Sequence, residues 1–158
     1  MIPNCELVTF YDGMTVLASL PLESGTAEYT TSSLAPRTQT IKASYPGDIT
    51  FTPSKGSVKQ VVQKYATTAT LSAAPNPSNF GQAVTFTAQV TSAGPLPTGR
   101  VKFLDGTVRI GVAMLSAGTA KFTRSTLAVG DHPITAQYLG DLASGKSTSP
   151  VVNQVVNP

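Results

Sequence analysis

The sequence predicts an all-β chain of two tandem β-sandwiches, on three observations. The residue mix favours strands and turns, a block of sequence returns after 93 residues, and apolar alternation has a period of two with no sustained helical periodicity. Aromatic residues make up 7%, Trp is absent, and charged residues are 12%, about half the share usual in a soluble protein. Thr, Ser, Gly, Pro and Gln take their place. Thr and Val suit a pleated, half-buried surface, while Gly and Pro set turns.

The repeat orders the elements. VTFYDG (Val8–Gly13) returns as VKFLDG (Val101–Gly106), an offset of 93 residues (101 − 8), and the halves then align without a gap. SGTAEYTTSSLA falls on AGTAKFTRSTLA, and IKASYPGD (Ile41–Asp48) on ITAQYLGD (Ile134–Asp141). From residue 8 to 54, 18 of 47 positions are identical; one residue then slips, and KQVVQ (Lys59–Gln63) matches NQVVN (Asn153–Asn157). A period of 93 residues is too long for a solenoid repeat. It is close to the ~100 residues of an immunoglobulin-like sandwich.

Each copy opens on a strand ending in Asp-Gly. Asp12–Gly13 and Asp105–Gly106 are expected to form type I′ hairpin turns, and Ser24–Gly25 and Ala117–Gly118 to mark the next reversal. A later strand follows, in which Ile134, Ala136 and Tyr138 alternate with Thr135 and Gln137. Pro133 is expected at its start and not at a central position. Ahead of Val101 the second copy carries two more strands, TTATLSAAP and AVTFTAQVT, turned by Pro75, Pro77 and Gly81, which brings it to about seven strands. Ahead of Val8 the first copy has only MIPNCEL. The expected domains are therefore residues 1–64, an incomplete repeat lacking about two N-terminal strands, and residues 65–158, a complete one, with a short linker at Gln63–Thr67. The fold class is two immunoglobulin-like Greek-key sandwiches.

In combination these stretches resemble bacterial Ig-like repeats of the group 3 kind. The opening TTATLSAAPNPSNFGQAVTFTAQV with PLPTGRVKF is similar to the same family's first strands. The resemblance implies an extracellular, secreted or surface-anchored bacterial protein in which such repeats act as stalks, spacers or adhesive modules. It implies further Ig-like repeats as neighbours, and a glycan or surface protein as partner if the module is adhesive. The first copy departs from the pattern in its opening strands, and MIPNCELVTF lacks the basic and apolar regions of a signal peptide. A fragment of a longer repeat array accounts for both. The mechanistic alternative is that the open first sandwich takes a strand from another chain, giving a homo-oligomer with Cys5 near the junction.

Catalytic chemistry finds little to stand on. His132 is the only histidine; it shares parity with inward Ile134 where a loop enters a strand, which favours a structural corner, and Gln39 holds the equivalent place. With one Cys and one His there is no zinc set and no cofactor motif, and the lone Cys5 leaves only an intermolecular thiol. Lys55, Lys59 and Lys64 are the densest basic run, without the aromatic interleaving that nucleic acid would need. No apolar run is long enough for a membrane helix. Asp48 and Asp141 recur in the YxGD endings as candidate surface contacts, but one Asp per domain end falls short of the six to eight oxygens calcium takes. Asp12, Gly13, Asp105 and Gly106 are turn residues. Tyr11, opposite in parity to Phe10 and beside a turn, reads first as half of a cross-strand surface pair and second as a candidate exposed ring for a glycan. The expectation is a non-enzymatic spacer, with an adhesin or carbohydrate-binding module as the alternative.

Overall fold

The computed structural model describes residues 7–158, which divide into two compact units meeting between Gln63 and Lys64. Every element is a strand, as the Thr, Val and Gly content leads one to expect.

In the second unit nine strands make two facing sheets. They are β5 (Thr67–Ala74), β6 (Ser78–Asn79), β7 (Val84–Ser92), β8 (Arg100–Asp105), β9 (Val108–Met114), β10 (Thr119–Arg124), β11 (Gly130–Tyr138), β12 (Ser147–Thr148) and β13 (Val152–Asn157). One sheet runs β10-β7-β5, and the other β6-β13-β11-β8-β9 with β12 paired to β11. The period-two alternation read from the sequence is the burial pattern here: Val84, Phe86, Ala88 and Val90 point inward from β7. Val101, Phe103, Ile134, Ala136 and Tyr138 meet them from the facing sheet, all fully buried. Phe86, Phe103 and Phe122 form the centre, with ring centroids 5.5–6.4 Å apart. Gly111 on β9 gives the Phe122 ring its room, since a Cβ there would lie 2.5 Å from two ring carbons.

In the first unit β1 (Leu7–Asp12), β2 (Thr15–Pro21), β3 (Thr38–Tyr45) and β4 (Ser54–Val61) form one antiparallel sheet, ordered β2-β1-β3-β4. It repeats the β9-β8-β11-β13 order of the second unit in detail. Phe10 pairs with Ala43 as Phe103 pairs with Ala136, and a bulge after Phe10 matches the one after Phe103. Among the described residues nothing corresponds to β5 and β7. Phe10 and Tyr29 still touch, at 5.7 Å between centroids. Phe10 and Ile41 are nonetheless only half-buried, and Val58 is 61% exposed.

Two sequence expectations change, on the Asp-Gly turns and on Pro133, and two details are new. The Asp-Gly turns are not type I′, because Asp12 pairs with Thr15 and the central residues are Gly13 and Met14. Only Gly13 has positive φ (63°), as only Gly106 does (56°) in the second copy, which is the backbone of a type II′ turn. The turn with two positive φ values is the next one, Ser24–Gly25 (52° and 81°) and Ala117–Gly118 (48° and 75°). It is closed by reciprocal backbone bonds between Glu23 and Thr26 and between Ser116 and Thr119. Pro133 lies inside β11, a central strand, and not at its start. The place tolerates it because β8 ends at Asp105, so the missing N–H faces the Gly106 turn, whose amide donates to the Pro133 carbonyl. Finally, the last strand is continuous in the first unit but broken into β12 and β13 in the second. The one-residue slip in the alignment sits there. Ser149 bridges the break, its amide donating to the Ala136 carbonyl and its hydroxyl accepting from the Ala136 amide.

Candidate functional site

The YxGD endings are built alike in both units. Gly47 (φ 88°) and Gly140 (φ 79°) turn the chain where an added Cβ would press on backbone 2.8 Å and 2.9 Å away, so only glycine fits. The following Asp folds its carboxylate over the loop. Asp48 Oδ1 accepts from the amides of Thr50 (2.5 Å) and Phe51 (2.6 Å), and Oδ2 from the Tyr45 hydroxyl (2.9 Å). Asp141 Oδ1 accepts from the amides of Ala143 (2.9 Å) and Ser144 (2.6 Å). Its Oδ2 accepts from the amide and hydroxyl of Thr98 (2.8 and 2.9 Å). Tyr138 donates to the Thr98 carbonyl at 2.7 Å, closing the cluster.

These bonds set the electrostatics. The Phe51 and Thr50 amides, with Tyr45, hold Asp48 below the usual carboxylate range. Burial works against the Asp141 anion, but the Thr98 and Ser144 donors outweigh it and hold the group well below that range. Burial, with the Asp141 carboxylate beside it, pushes the Tyr138 phenol up. Both carboxylates are favoured in the charged form and are internally occupied. Thr98 is the member of this cluster that the sequence did not single out, since it lies 43 residues from its partner.

His132, the third residue of β11, lies between two acceptors. Nδ1 is 2.6 Å from Asp105 Oδ2, and Nε2 is 2.9 Å from the Ala128 carbonyl. Burial disfavours the charged ring, yet the Ala128 carbonyl and the Asp105 carboxylate prevail and raise its pKa. In the first unit Gln39 donates to the Ala35 carbonyl at 3.0 Å, the bond His132 makes with Ala128. Arg37 takes over the second duty, reaching Asp12 Oδ2 at 2.5 Å and Gln39 Oε1 at 3.3 Å. Asp12 and Asp105 thus close the strand ends while Gly13 and Gly106 make the turns.

Tyr11 borders an open groove of about 580 Å³ on the outward face of the first sheet, with Met14, Lys42, Ser44, Lys55 and Ser57. Lys42 is its direct cross-strand neighbour, and Lys55 pairs with Ser44 on the next strand. Both lysines are exposed, and among the described residues neither has a carboxylate partner. The second unit has Leu104, Thr135 and Thr148 at these positions, so the groove chemistry belongs to the first copy alone. Cys5 lies outside the described residues. Among those residues no cluster of His, Cys, Asp or Glu is suited to a metal, and no helix is long and apolar enough to cross a membrane.

A second feature went unread in the sequence. Gln154 of NQVVN is fully buried on β13, its amide donating to the Pro75 carbonyl (3.1 Å), Ser78 Oγ (3.2 Å) and the Val155 carbonyl (3.0 Å). Asn76 adds a clamp, donating to the Asn153 carbonyl and accepting from the Val155 amide. Together they tie the segment between β5 and β7 across the sandwich. The only sequence signal was that Gln60 and Gln154 coincide in the repeat.

One solved structure of similar fold agrees with this architecture. The chain is similar in structure to the Clostridium thermocellum CbhA fibronectin(III)-like modules, with a TM-score of 0.53 and 21% identity over 97% of this chain and 78% of that one. The titin domains z1z2 in complex with telethonin align at a TM-score of 0.38 and 12% identity, over 94% of this chain and 80% of that one. No curated protein matches. The bacterial Ig-like domain (group 3) family matches residues 4–63 and again 71–157, and the chain belongs to that family.

Proposed function

We infer that this chain is a non-enzymatic spacer segment of a bacterial surface or secreted protein, holding other modules at a distance through tandem Ig-like repeats. One observation carries the reading. The repeated aspartates and the corner residues are spent on the fold: Asp48 and Asp141 on their own loops, Asp12, Asp105, Gln39 and His132 on strand corners. A repeated binding residue would present free acceptors or donors outward, and these are already taken up. Low charge and a Thr/Ser-rich exterior suit a surface that adheres to little.

A second reading, a weak adhesin for acidic glycans, draws on the Tyr11 groove. A ring beside two unpaired ammonium groups offers stacking and anion attraction together. One experiment separates the two. The whole chain is titrated against a panel of neutral and acidic polysaccharides at low and physiological salt. The spacer reading expects no saturable binding. Saturable, salt-sensitive binding to acidic members that disappears in Tyr11→Ala and Lys42→Ala would replace it with the second reading.

A further inference from the structure

Three lysines share the outward side of the first sheet, on the strands β3 and β4. Along β4, Val58 and Gln60 turn inward with Phe10 and Ile41, so Lys55, Ser57 and Lys59 turn outward. Lys42 on β3 lies opposite Ser57, midway between the other two lysines. At about 3.3 Å per residue and about 4.8 Å between strands, Lys55 and Lys59 are roughly 13 Å apart, and Lys42 is roughly 8 Å from each. Tyr11 on β1 is the cross-strand partner of Lys42 and extends the row sideways. All three ammonium groups are exposed, and among the described residues none meets a carboxylate. The acid within β1, β3 and β4 is Asp12, which Arg37 occupies.

The sheet itself does not require this row. The second unit builds the same strand order with Leu104, Thr135, Thr148 and Asn153 at the corresponding places. Its cations on that side, Lys102 and Arg109, stand on β8 and β9, away from the row. Like charges on neighbouring strands repel, and an anion lying over them removes that repulsion.

We propose that Lys55, Lys42 and Lys59, with Tyr11, form a track for a linear acidic polysaccharide bearing a carboxylate on successive sugars. The proposal rests on the acidic-glycan reading above, and adds to it the third cation, a minimum chain length and a ligand direction along β4. Charge complementarity sets the class of ligand. The one ring covers the apolar face of one sugar, whereas single-stranded nucleic acid stacks successive bases on several rings. Ser44 and Ser57, set among the lysines, offer hydroxyls that both give and take hydrogen bonds, as sugar hydroxyls do. The lysine ammonium is a point charge, and no arginine fork of the kind favoured for phosphate stands on these three strands.

The test is calorimetric titration of the whole chain with oligogalacturonates from the dimer to the octamer, with polyglutamate as a polyanion that has no sugar rings. Affinity is expected to rise steeply until the chain spans Lys55 to Lys59 and only slowly beyond, and to fall with added salt. Lys42→Gln, Lys55→Gln and Lys59→Gln are each expected to weaken the octamer about two- to fivefold, with Lys102→Gln unchanged. Tyr11→Ala is expected to bring the octamer down to the affinity of polyglutamate. No binding of any oligogalacturonate would overturn both this proposal and the reading it rests on. An octamer bound no more tightly than the dimer, or indifferent to Lys59→Gln, would overturn the track alone and leave an acidic-glycan site at Tyr11 and Lys42. Equal affinity of the parent chain for polyglutamate and the octamer, or an equal loss in Lys102→Gln, would reduce the face to general charge attraction and overturn the proposal as well.

Discussion

Among single residues, His132 shows how far a histidine can be committed to structure. Its two ring nitrogens face two acceptors, so the doubly protonated ring satisfies both, and the folded-state pKa lies above the ordinary 6.5. A group whose pKa is raised on folding stabilises the fold in its protonated form. That contribution is complete below the unfolded value and is lost as pH rises through the folded one. The melting temperature of the second unit is therefore expected to fall from pH 6 toward pH 9. His132→Gln, which copies Gln39, should keep the bond to the Ala128 carbonyl and flatten that dependence. An unchanged slope in the variant, by calorimetry across that range, would remove the account. The sequence offered a corner for His132 because it shares parity with inward Ile134 and has Gln39 as its counterpart. The roles of Arg37 and Thr98 were not legible, since their partners lie 25 and 43 residues away. Nothing local announces such a bond.

At the level of the element, strands were read more easily than the links between them. Alternation follows from the pleat, so β7 and β11 could be read directly from residues two apart. Turn type depends on which residues close the hairpin. The register places Asp12 as a paired strand residue, and that moved the turn one residue onward to Gly13–Met14. The double positive-φ turn fell to Ser24–Gly25, where a serine accepts φ 52° because the reciprocal Glu23–Thr26 bonds hold it there. Gly111 is a similar case. A glycine in a strand marks a bulge or a close approach, and only packing identifies the Phe122 ring as the reason. Gly111→Ala is expected to destabilise the second unit by about 1–3 kcal/mol through overpacking. Denaturant titration checks it, and a midpoint within error of the parent would show that the ring gives way at no cost.

On the scale of the whole molecule, the two units differ in what they bury, although they share a sheet. A sheet with one apolar face needs a second layer to remove that face from water. The second unit has it and the first, among the described residues, does not. Unfolding is therefore expected in two steps, the first unit melting well below the second, with Tyr11, Tyr29 and Tyr45 reporting the early step and Tyr138 the late one. A single cooperative transition seen by all probes would contradict this. The sequence by itself determined the all-β class, the repeat and its offset, and the strongly alternating strands β7 and β11. These follow from side-chain period and turn chemistry, which are local. The tertiary structure alone decided which carboxylates are already occupied, where each turn closes, and that Gln154 ties the β5–β7 segment across the sandwich. Those outcomes depend on groups tens of residues apart meeting in space. The same reason makes the uncovered face of the first sheet visible only beside its covered twin.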